Sequence, residues 1–380
     1  MNLKRYFRLS VLLLAVVGLA ACNNSYGIFS SIQGESKNTN TSAFYQTAVR
    51  NMVPFGGRYY AQLVGIYSRP AASSAGSDWA YLENSAFGSD YVCRGIAANG
   101  SLLYAAISNG RGSTSTPKGI FSFNGSTWTQ EYSGSADIQA LYLANGALFV
   151  ITKDSTSDSG STYSVSYLSG TSLMPCSGTL STMPTNVVYV AGTIDNFFFA
   201  SGSTLYSAAS LPSTFASVSG IPSVSITCLA TNAFNYSDAA TALFLGTSTG
   251  YVYRSTDGSS WEGPQAASSG TSYAVTTMLA VPTGTTGSGR ALLVGNSLSG
   301  YYEADVTSSL GSFTTGGSST IVTTASVYES SLTSMPVFAF VYDGTATSGT
   351  LFACASATAV DYTGLWSNKR TTTWAGWASE

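Results

Sequence analysis

Hydrophobic and polar positions alternate along most of this chain in short runs that end at glycine, asparagine, serine or threonine. Alternation with a period of two places successive side chains on opposite faces of a sheet, so these runs are predicted to be β-strands. Seven of the runs share one form, in which a small residue or a turn comes first, apolar positions alternate, and most copies close on serine. They are residues 65–68, 119–122, 161–164, 203–207, 250–253, 300–303 and 364–367.

A second apolar run precedes six of these seven copies, at residues 102–106, 147–150, 196–200, 242–246, 291–295 and 350–353. A further run lies before most of these, and in two units the pair is separated by Asn-Gly, at Asn99-Gly100 and Asn145-Gly146. Asn-Gly between alternating runs is a strong hairpin signal because both residues tolerate a positive φ. Three strands are therefore predicted in each unit.

A polar turn with the frame S-x-D/N-G-x-x-W follows the shared run in two units. Its copies consist of Ser122, Asn124, Gly125 and Trp128, and of Ser255, Asp257, Gly258 and Trp261. The Asp or Asn oxygen can accept backbone N–H groups two residues on, glycine supplies a positive φ, and the indole is expected to be buried against a neighbouring sheet. We interpret the motif as a structural turn that leads into a fourth strand, with no catalytic role for Asp257.

This frame resembles the Asp-box, or BNR repeat, of sialidases and of many non-enzymatic β-propellers, over roughly Ala43 to Glu380. The resemblance implies that the boxes lie at the periphery, between the third and fourth strands of a blade and away from the ligand face. The copies recur at spacings that straddle the ~40–50 residues of a four-stranded propeller blade. We predict an all-β protein, a seven-bladed β-propeller of four-stranded blades, as one domain over residues 44–380. Whether an early segment, residues 27–30, completes a blade stays open.

The first residues have the order of a secretory signal peptide, with Lys4, Arg5 and Arg8 before an apolar run at residues 11–21. The ending Leu19-Ala20-Ala21-Cys22 resembles the lipobox of bacterial lipoproteins. The resemblance implies cleavage before Cys22 and acylation of that residue, palmitate included. We predict a signal peptide at residues 1–21, a lipidated Cys22 with a polar tether over residues 22–43, and a location in the bacterial cell envelope. The membrane and the leaflet stay open, so the protein can face the periplasm or the outer surface.

The composition excludes several classes of function. Only 9% of residues are charged, against ~25% in an average protein, and the formal net charge is −3 without a basic cluster, so nucleic acid is not an expected partner. The chain has no histidine, which excludes Ser-His-Asp catalysis and histidine-ligated zinc. Residues 154–160 carry alternate oxygen side chains but no closing glutamate, so a polar loop is favoured over a calcium site. We predict no cofactor and no metal.

The four cysteines of the body fall in different repeats. They are Cys93, Cys176, Cys228 and Cys354. Four cysteines in an exported chain could form two disulfides in three pairings. We favour buried free thiols.

An enzymatic function is the runner-up hypothesis. A sialidase needs an arginine cluster, and the nearest string to its N-terminal motif, Tyr67-Ser68-Arg69-Pro70, has the wrong order. The arginines that could converge are Arg58, Arg94, Arg111, Arg254, Arg290 and Arg370. The carboxylates of the right type for a glycoside hydrolase are Asp137, Asp195, Asp305, Glu329, Asp343 and Asp361, and their spacing reveals no pair.

The favoured hypothesis is a membrane-anchored, non-catalytic propeller that binds a protein or a glycan as a scaffold module in the cell envelope. Tyrosine offers a large contact area at low entropic cost, and hydroxyls supply adaptable hydrogen bonds. The remaining alternative is an envelope assembly factor, since the propeller lipoprotein of the outer-membrane β-barrel assembly machinery has a similar architecture and anchor. The sequence leaves the choice between protein and carbohydrate partners open.

Overall fold

The computed structural model describes residues 44, 47–75, 79–88, 90–110, 117–154, 162–178, 189–267, 273–298, 300–315, 332, 335–356, 363–371 and 373–380. The elements formed by these residues are β-strands throughout. The strands group into seven sheets, which we call blades. Blades one to three consist of β1 (Asn51–Phe55), β2 (Arg58–Gln62), β3 (Ile66–Pro70) and β4 (Ala80–Tyr81); of β5 (Tyr91–Ala98), β6 (Leu103–Asn109), β7 (Pro117–Phe123) and β8 (Trp128–Tyr132); and of β9 (Asp137–Ala144), β10 (Ala147–Asp154), β11 (Thr162–Ser169) and β12 (Ser172–Pro175). Blades four to seven consist of β13 (Ser177–Gly178), β14 (Tyr189–Gly192), β15 (Phe197–Ser201), β16 (Thr204–Ala208) and β17 (Thr214–Ser217); of β18 (Ile226–Thr231), β19 (Leu243–Thr247), β20 (Tyr251–Ser255) and β21 (Glu262–Ala266); of β22 (Val275–Thr283), β23 (Gly289–Asn296), β24 (Tyr301–Asp305) and β25 (Thr314–Thr315); and of β26 (Val337–Gly344), β27 (Gly349–Ala355), β28 (Leu365–Arg370) and β29 (Trp374–Ser379).

The protein is a seven-bladed β-propeller, as the repeat predicted. Within each blade four antiparallel strands pair in chain order, and the seven shared runs of the sequence form the third strands. The first strand of each blade contacts the first strands of both neighbouring blades, so these strands surround a central channel. Ring formation buries the faces of each blade against its neighbours, which is why a single blade could not be stable alone.

The hairpin predicted at Asn145-Gly146 is confirmed. Ala144 pairs with Ala147, and the two turn residues have φ values of 45° and 77°. Positive φ at both central positions is the geometry whose twist matches that of the flanking strands. Local sequence therefore determines how the first strand of blade three returns as the second.

Blade four differs from the prediction by one additional strand. The short β13 pairs in parallel with β17, with Ser177 opposite Thr214 and Gly178 opposite Phe215. The chain leaves blade three and runs along the outer edge of blade four before it enters that blade. An edge strand exposes unpaired backbone groups, so this segment covers part of an edge that would otherwise be open.

Among the described residues, blade one and blade seven each take their four strands from one continuous segment, with no strand exchanged between the ends of the chain. The residues before β1 supply the connection instead. The backbone N–H of Val49 donates to the carbonyl of Ala355 (3.3 Å), and that of Gly364 donates to the carbonyl of Phe44 (3.0 Å). Phe44 is fully buried and contacts the ring of Trp79. The sequence left this closure open; residues 27–30 and Cys22 lie outside the described residues.

Candidate functional site

Asp257 organises the turn between β20 and β21. Its Oδ1 accepts the backbone N–H groups of Ser259 (2.8 Å) and Ser260 (2.7 Å), and its Oδ2 accepts the Ser260 hydroxyl (2.9 Å). The Ser255 hydroxyl donates to Asp257 (3.0 Å) and accepts the N–H of Gly258 (2.8 Å). These donors, the N–H of Ser260 first, hold the pKa of Asp257 well below its ordinary value. Both carboxylate oxygens are thus engaged within the turn itself.

Gly258 brings this turn against the neighbouring blade. Its φ is 77°, and a Cβ at this position would lie 2.9 Å from a ring carbon of Phe198 in blade four. Trp261 packs on the same cluster, which includes Phe198 and Leu243. The indole packs against the neighbouring blade as expected, but Trp261 is half-buried, so the expectation of full burial was wrong.

The second copy of the motif forms the same turn between β7 and β8. Asn124 Oδ1 accepts the backbone N–H groups of Ser126 and Thr127, both at 2.9 Å. Gly125 has a φ of 99°, and Trp128 is half-buried, stacked on Phe123 with ring centroids 4.9 Å apart. Both turns occupy the position between third and fourth strands that the resemblance implied.

The central channel has two mouths with different chemistry. At the end where the first strands begin, a chamber of about 300 Å³ is lined by residues from several blades, among them Arg50, Arg94, Tyr142, Tyr189 and Phe338. We call this end the arginine mouth. Its described lining contains two arginines and neither aspartate nor glutamate.

Both phenols of the arginine mouth are protonated at neutral pH. Burial raises the pKa of Tyr142 and of Tyr189, and the nearby Cys228 adds to both effects. Arg50 is exposed, Arg94 is half-buried, and 39% of Phe338 is accessible. Cationic, phenolic and aromatic groups therefore converge on one concave surface, which is the usual form of a binding site.

Two amides fix the shape of this mouth. Asn51 Nδ2 donates to the carbonyl of Ile96 (3.2 Å), and Gln62 Nε2 donates to the carbonyl of Cys93 (3.3 Å). Both bonds join blade one to blade two, on which Arg94 lies. The arginine is thus held on a rigid pair of blades.

The opposite mouth is covered in part by an insertion. Residues 232–242 connect β18 to β19, where blade three needs only two residues for the same turn. We call this segment the strap. Asn232 closes its base, since its side-chain oxygen accepts the N–H groups of Thr241 (2.8 Å) and Ala242 (3.0 Å). Between the strap and the first strands lies a cavity of about 600 Å³.

The strap is attached to several other blades. Asn235 Nδ2 donates to the carbonyl of Gly344 in blade seven (3.0 Å), and Asp238 forms an ion pair with Arg290 of blade six (3.2 Å). The N–H of Ile194, in blade four, donates to the carbonyl of Ala240 (2.8 Å). The strand pattern did not predict this site, although residues 232–242, rich in alanine and asparagine and without alternation, were a visible signal.

Most of the candidate catalytic arginines are engaged by neighbouring parts of the protein. Arg58, Arg94, Arg254, Arg290 and Arg370 lie on five different blades. Four of them interact with neighbouring residues. Arg58 donates a hydrogen bond to the Ser68 hydroxyl, and Arg254 and Arg290 form ion pairs with Glu262 and Asp238. Arg370 donates to the carbonyls of Pro282, Gly284 and Ala346. Arg94 lines the arginine mouth, and Arg111 lies outside the described residues.

The candidate carboxylates are similarly dispersed. Asp305 accepts the N–H of Thr307 (2.9 Å) as a turn cap, and Asp343 lies beside the phenol of Tyr59. Asp195 borders the same cleft as the Asp257 turn, and Asp137 begins β9. Glu329 and Asp361 lie outside the described residues, as does most of the 154–160 loop.

All four body cysteines are buried and none forms a disulfide. Burial raises the pKa of Cys93, Cys176 and Cys228 to about 12 and that of Cys354 further. Thiols with such pKa values are inert at neutral pH, because the thiolate is the reactive form.

The described residues contain neither a membrane-spanning helix nor a cluster of metal-ligating side chains. No helix among them is long and apolar enough to cross a membrane. No group of three or more cysteine, aspartate or glutamate side chains in the described ranges is placed to hold a metal ion.

Known proteins resemble this chain in structure but do not match it in sequence. No protein-family model matches the sequence, and no curated protein matches it. Among solved structures, YCF48 bound to D1 peptide has a TM-score of 0.52 at 9% identity over 87% of this chain and 95% of that one, and YCF48 from Cyanidioschyzon merolae has 0.52 at 10% over 86% and 96%.

Another similar structure is the extracellular domain of a putative hybrid two component system from B. thetaiotaomicron. It has a TM-score of 0.52 at 12% identity, and the match covers 85% of this chain but only 38% of that protein. Identities this low establish the fold alone. The chain is a seven-bladed β-propeller similar in fold to an extracellular domain and to a peptide-bound propeller.

Proposed function

We propose that this chain is an exported lipoprotein, anchored through Cys22, whose propeller is a non-catalytic module that binds a protein segment at the arginine mouth. The observation that carries the proposal is the composition of that mouth, where Arg50, Arg94, two phenols and an exposed Phe338 meet on one concave surface. Arginine and aromatic residues are enriched where proteins bind one another.

Two further facts support this choice. YCF48, which has a similar fold, has been captured with a D1 peptide, so a ring of this kind admits peptide binding. The absence of histidine from the sequence and the structural bonds of Arg58, Arg254, Arg290 and Arg370 favour binding over catalysis.

The location of the N-terminal connection favours anchoring on the same side. Residues 47–50 lead into the start of β1, and the first strands begin at the arginine mouth. A polar tether over residues 22–43 would therefore leave the body on that face. The lipid would hold the mouth close to partners in or at the membrane.

Anchoring is tested by Cys22→Ser in the full chain. The variant should lose metabolic labelling with palmitate and accumulate as unprocessed precursor or soluble product. An unmodified Cys22 in the mature, membrane-bound protein, found by intact-mass measurement, would refute the anchor.

Partner binding is tested with a photo-crosslinking amino acid at position 338, with position 174 as the control. Met174 is also exposed, at 43%, but lies on the outer strand of blade three, remote from the channel. We expect a discrete protein adduct from position 338 only, lost in the Arg50→Gln/Arg94→Gln double variant and weakened by salt, because part of the attraction is between charges. An adduct that survives the double variant, or a glycan in its place, would contradict the proposal.

A further inference from the structure

The strap cavity, at the opposite mouth from the proposed partner site, has features of a second binding site. Its volume of about 600 Å³ falls within the ~300–1,000 Å³ of small-molecule sites. Its rim presents two of the most exposed large side chains of the protein, Tyr236 at 69% and Ile194 at 65%. Tyr236 belongs to the strap and reaches across to blade two, where a Cβ on Gly100 would lie 2.5 Å from its hydroxyl oxygen.

The cavity wall is neutral. Asp238 is the only charged residue in its described lining, and the carboxylate is paired with Arg290 (3.2 Å) and accepts the N–H of Phe234 (3.3 Å). The guanidinium of Arg290 also lies 4.9 Å from the centre of the Phe234 ring. The charges are therefore committed to holding the strap, and a charged ligand would find no counter-ion.

The polar side chains of the wall are committed in the same way. Asn145 Nδ2 donates to the carbonyl of Thr193, and Asn235 Nδ2 donates to that of Gly344. Asn235 Oδ1 accepts the N–H groups of Ser237 and Asp238, both at 3.0 Å. These two amides are therefore engaged within the protein, and most of the side chains beside them are those of alanine, leucine, valine and isoleucine.

We propose that the strap cavity is a binding site for an uncharged aromatic group, which enters past Tyr236 and Ile194 and packs against the alanine and leucine side chains of the neutral wall formed by the strap and the first strands. Aromatic rings pack favourably against a phenol and an aliphatic rim. The group can come from a free small molecule or from a side chain of a polypeptide, since the cavity selects for lack of charge and for size. This site lies at the opposite end of the channel from the arginine mouth, with which it shares the lining residues Leu229 and Met278.

The test uses the uncharged fluorophore N-phenyl-1-naphthylamine and its charged relative 8-anilinonaphthalene-1-sulfonate on the folded protein. We expect saturable binding of the neutral dye at one site per chain and binding of the sulfonate weaker by about tenfold or more. Ala230→Phe places bulk in the cavity wall and should weaken the neutral dye by about tenfold or more. Ala140→Phe is the matched control, since Ala140 is also half-buried but lines the arginine mouth, and it should leave binding unchanged.

A second variant keeps the test valid if Ala230→Phe misfolds. Thr231 and Leu243 are paired, so replacing residues 232–242 with Asn-Gly should close a two-residue hairpin like that of blade three and remove one wall of the cavity. Binding of the neutral dye should then be lost while the circular dichroism spectrum of the sheet is retained.

Displacement of the dye identifies the source of the aromatic group. Displacement by N-acetyltryptophanamide would assign a free ligand, and displacement only by a neutral tryptophan-centred peptide would assign a polypeptide; both results support the site. Failure of the neutral dye to bind, equal binding of the sulfonate, or full binding in the hairpin variant would overturn the inference.

Discussion

Arg69 and Glu380 lie 311 positions apart in the chain and form a two-point ion pair, with Nε to Oε2 at 3.1 Å and a terminal guanidinium nitrogen to Oε1 at 2.8 Å. Both residues are buried, with exposed fractions of 2% and 0%. Trp79 Nε1 donates to the same carboxylate (3.1 Å), and the guanidinium lies 5.0 Å from the ring centre of Tyr59. The pair joins blade one to blade seven and so completes the ring.

Breaking this pair should destabilise the whole ring. Glu380→Gln leaves the buried Arg69 without its counter-charge, and removing one partner of a buried pair costs about 3–5 kcal/mol. Urea unfolding of the 44–380 body should show this loss. The Arg69→Met/Glu380→Met double variant should lose less than the sum of the two single variants, because neither charge is then buried alone.

Arg254 and Glu262 supply the control for that experiment. This pair lies within one sheet, and the Glu262 side chain is 44% exposed. Exposed pairs contribute about 0–1 kcal/mol, so Glu262→Gln should have a small effect. Equal losses for Glu262→Gln and Glu380→Gln would show that Arg69 and Glu380 do not specifically close the ring.

The Asp257 turn should contribute stability that depends on pH. Hydrogen bonds hold its pKa below the ordinary value of about 3.9, so the folded protein binds this proton less tightly than the unfolded chain. The stabilisation is complete above that ordinary pKa and is lost as the pH falls below it. The difference in melting temperature between the wild type and Asp257→Asn should therefore be largest near neutral pH and shrink below about pH 4.

Asn124 provides the uncharged comparison for this turn. Its amide accepts the same backbone bonds, so the difference between the wild type and Asn124→Ala should not vary with pH in that range. A pH-independent effect of Asp257→Asn, or loss of partner binding without loss of stability, would refute the structural interpretation of the motif.

The four body thiols should be unreactive in the folded protein. Because burial raises the pKa of three of them to about 12 and that of Cys354 further, the 44–380 body should react negligibly with Ellman's reagent at about pH 8. Unfolding in guanidinium without a reductant should release four thiols. Fewer than four would reveal a disulfide.

The 44–380 body is expected to lack glycosidase activity. It should not hydrolyse sialosides or aryl glycosides between about pH 4 and pH 8, because the chain has no histidine and Arg58, Arg254, Arg290 and Arg370 are engaged by neighbouring residues. Turnover above the enzyme-free control that is lost on changing Arg58, Arg94 or Arg290 would favour the sialidase hypothesis instead.

The sequence by itself determined the features that depend on neighbouring residues. The period-two alternation identified the strands, and their recurrence gave the seven blades, because each unit can bury its faces only against copies of itself. The turns at Asn145-Gly146 and Asp257-Gly258 were equally local, since a positive φ and an Asx bond need only a few consecutive residues.

Only the tertiary structure decided the features that depend on distant partners. The bond of Asn235 to Gly344 and the pair of Arg69 with Glu380 join residues from different blades, and no local pattern specifies which remote carbonyl or carboxylate a side chain will reach. The arginine mouth and the strap cavity arise in the same way, because ring closure brings the first strands of separate blades around one channel. The half-buried state of Trp261 also depends on where its blade ends, since the same indole would be buried nearer the channel.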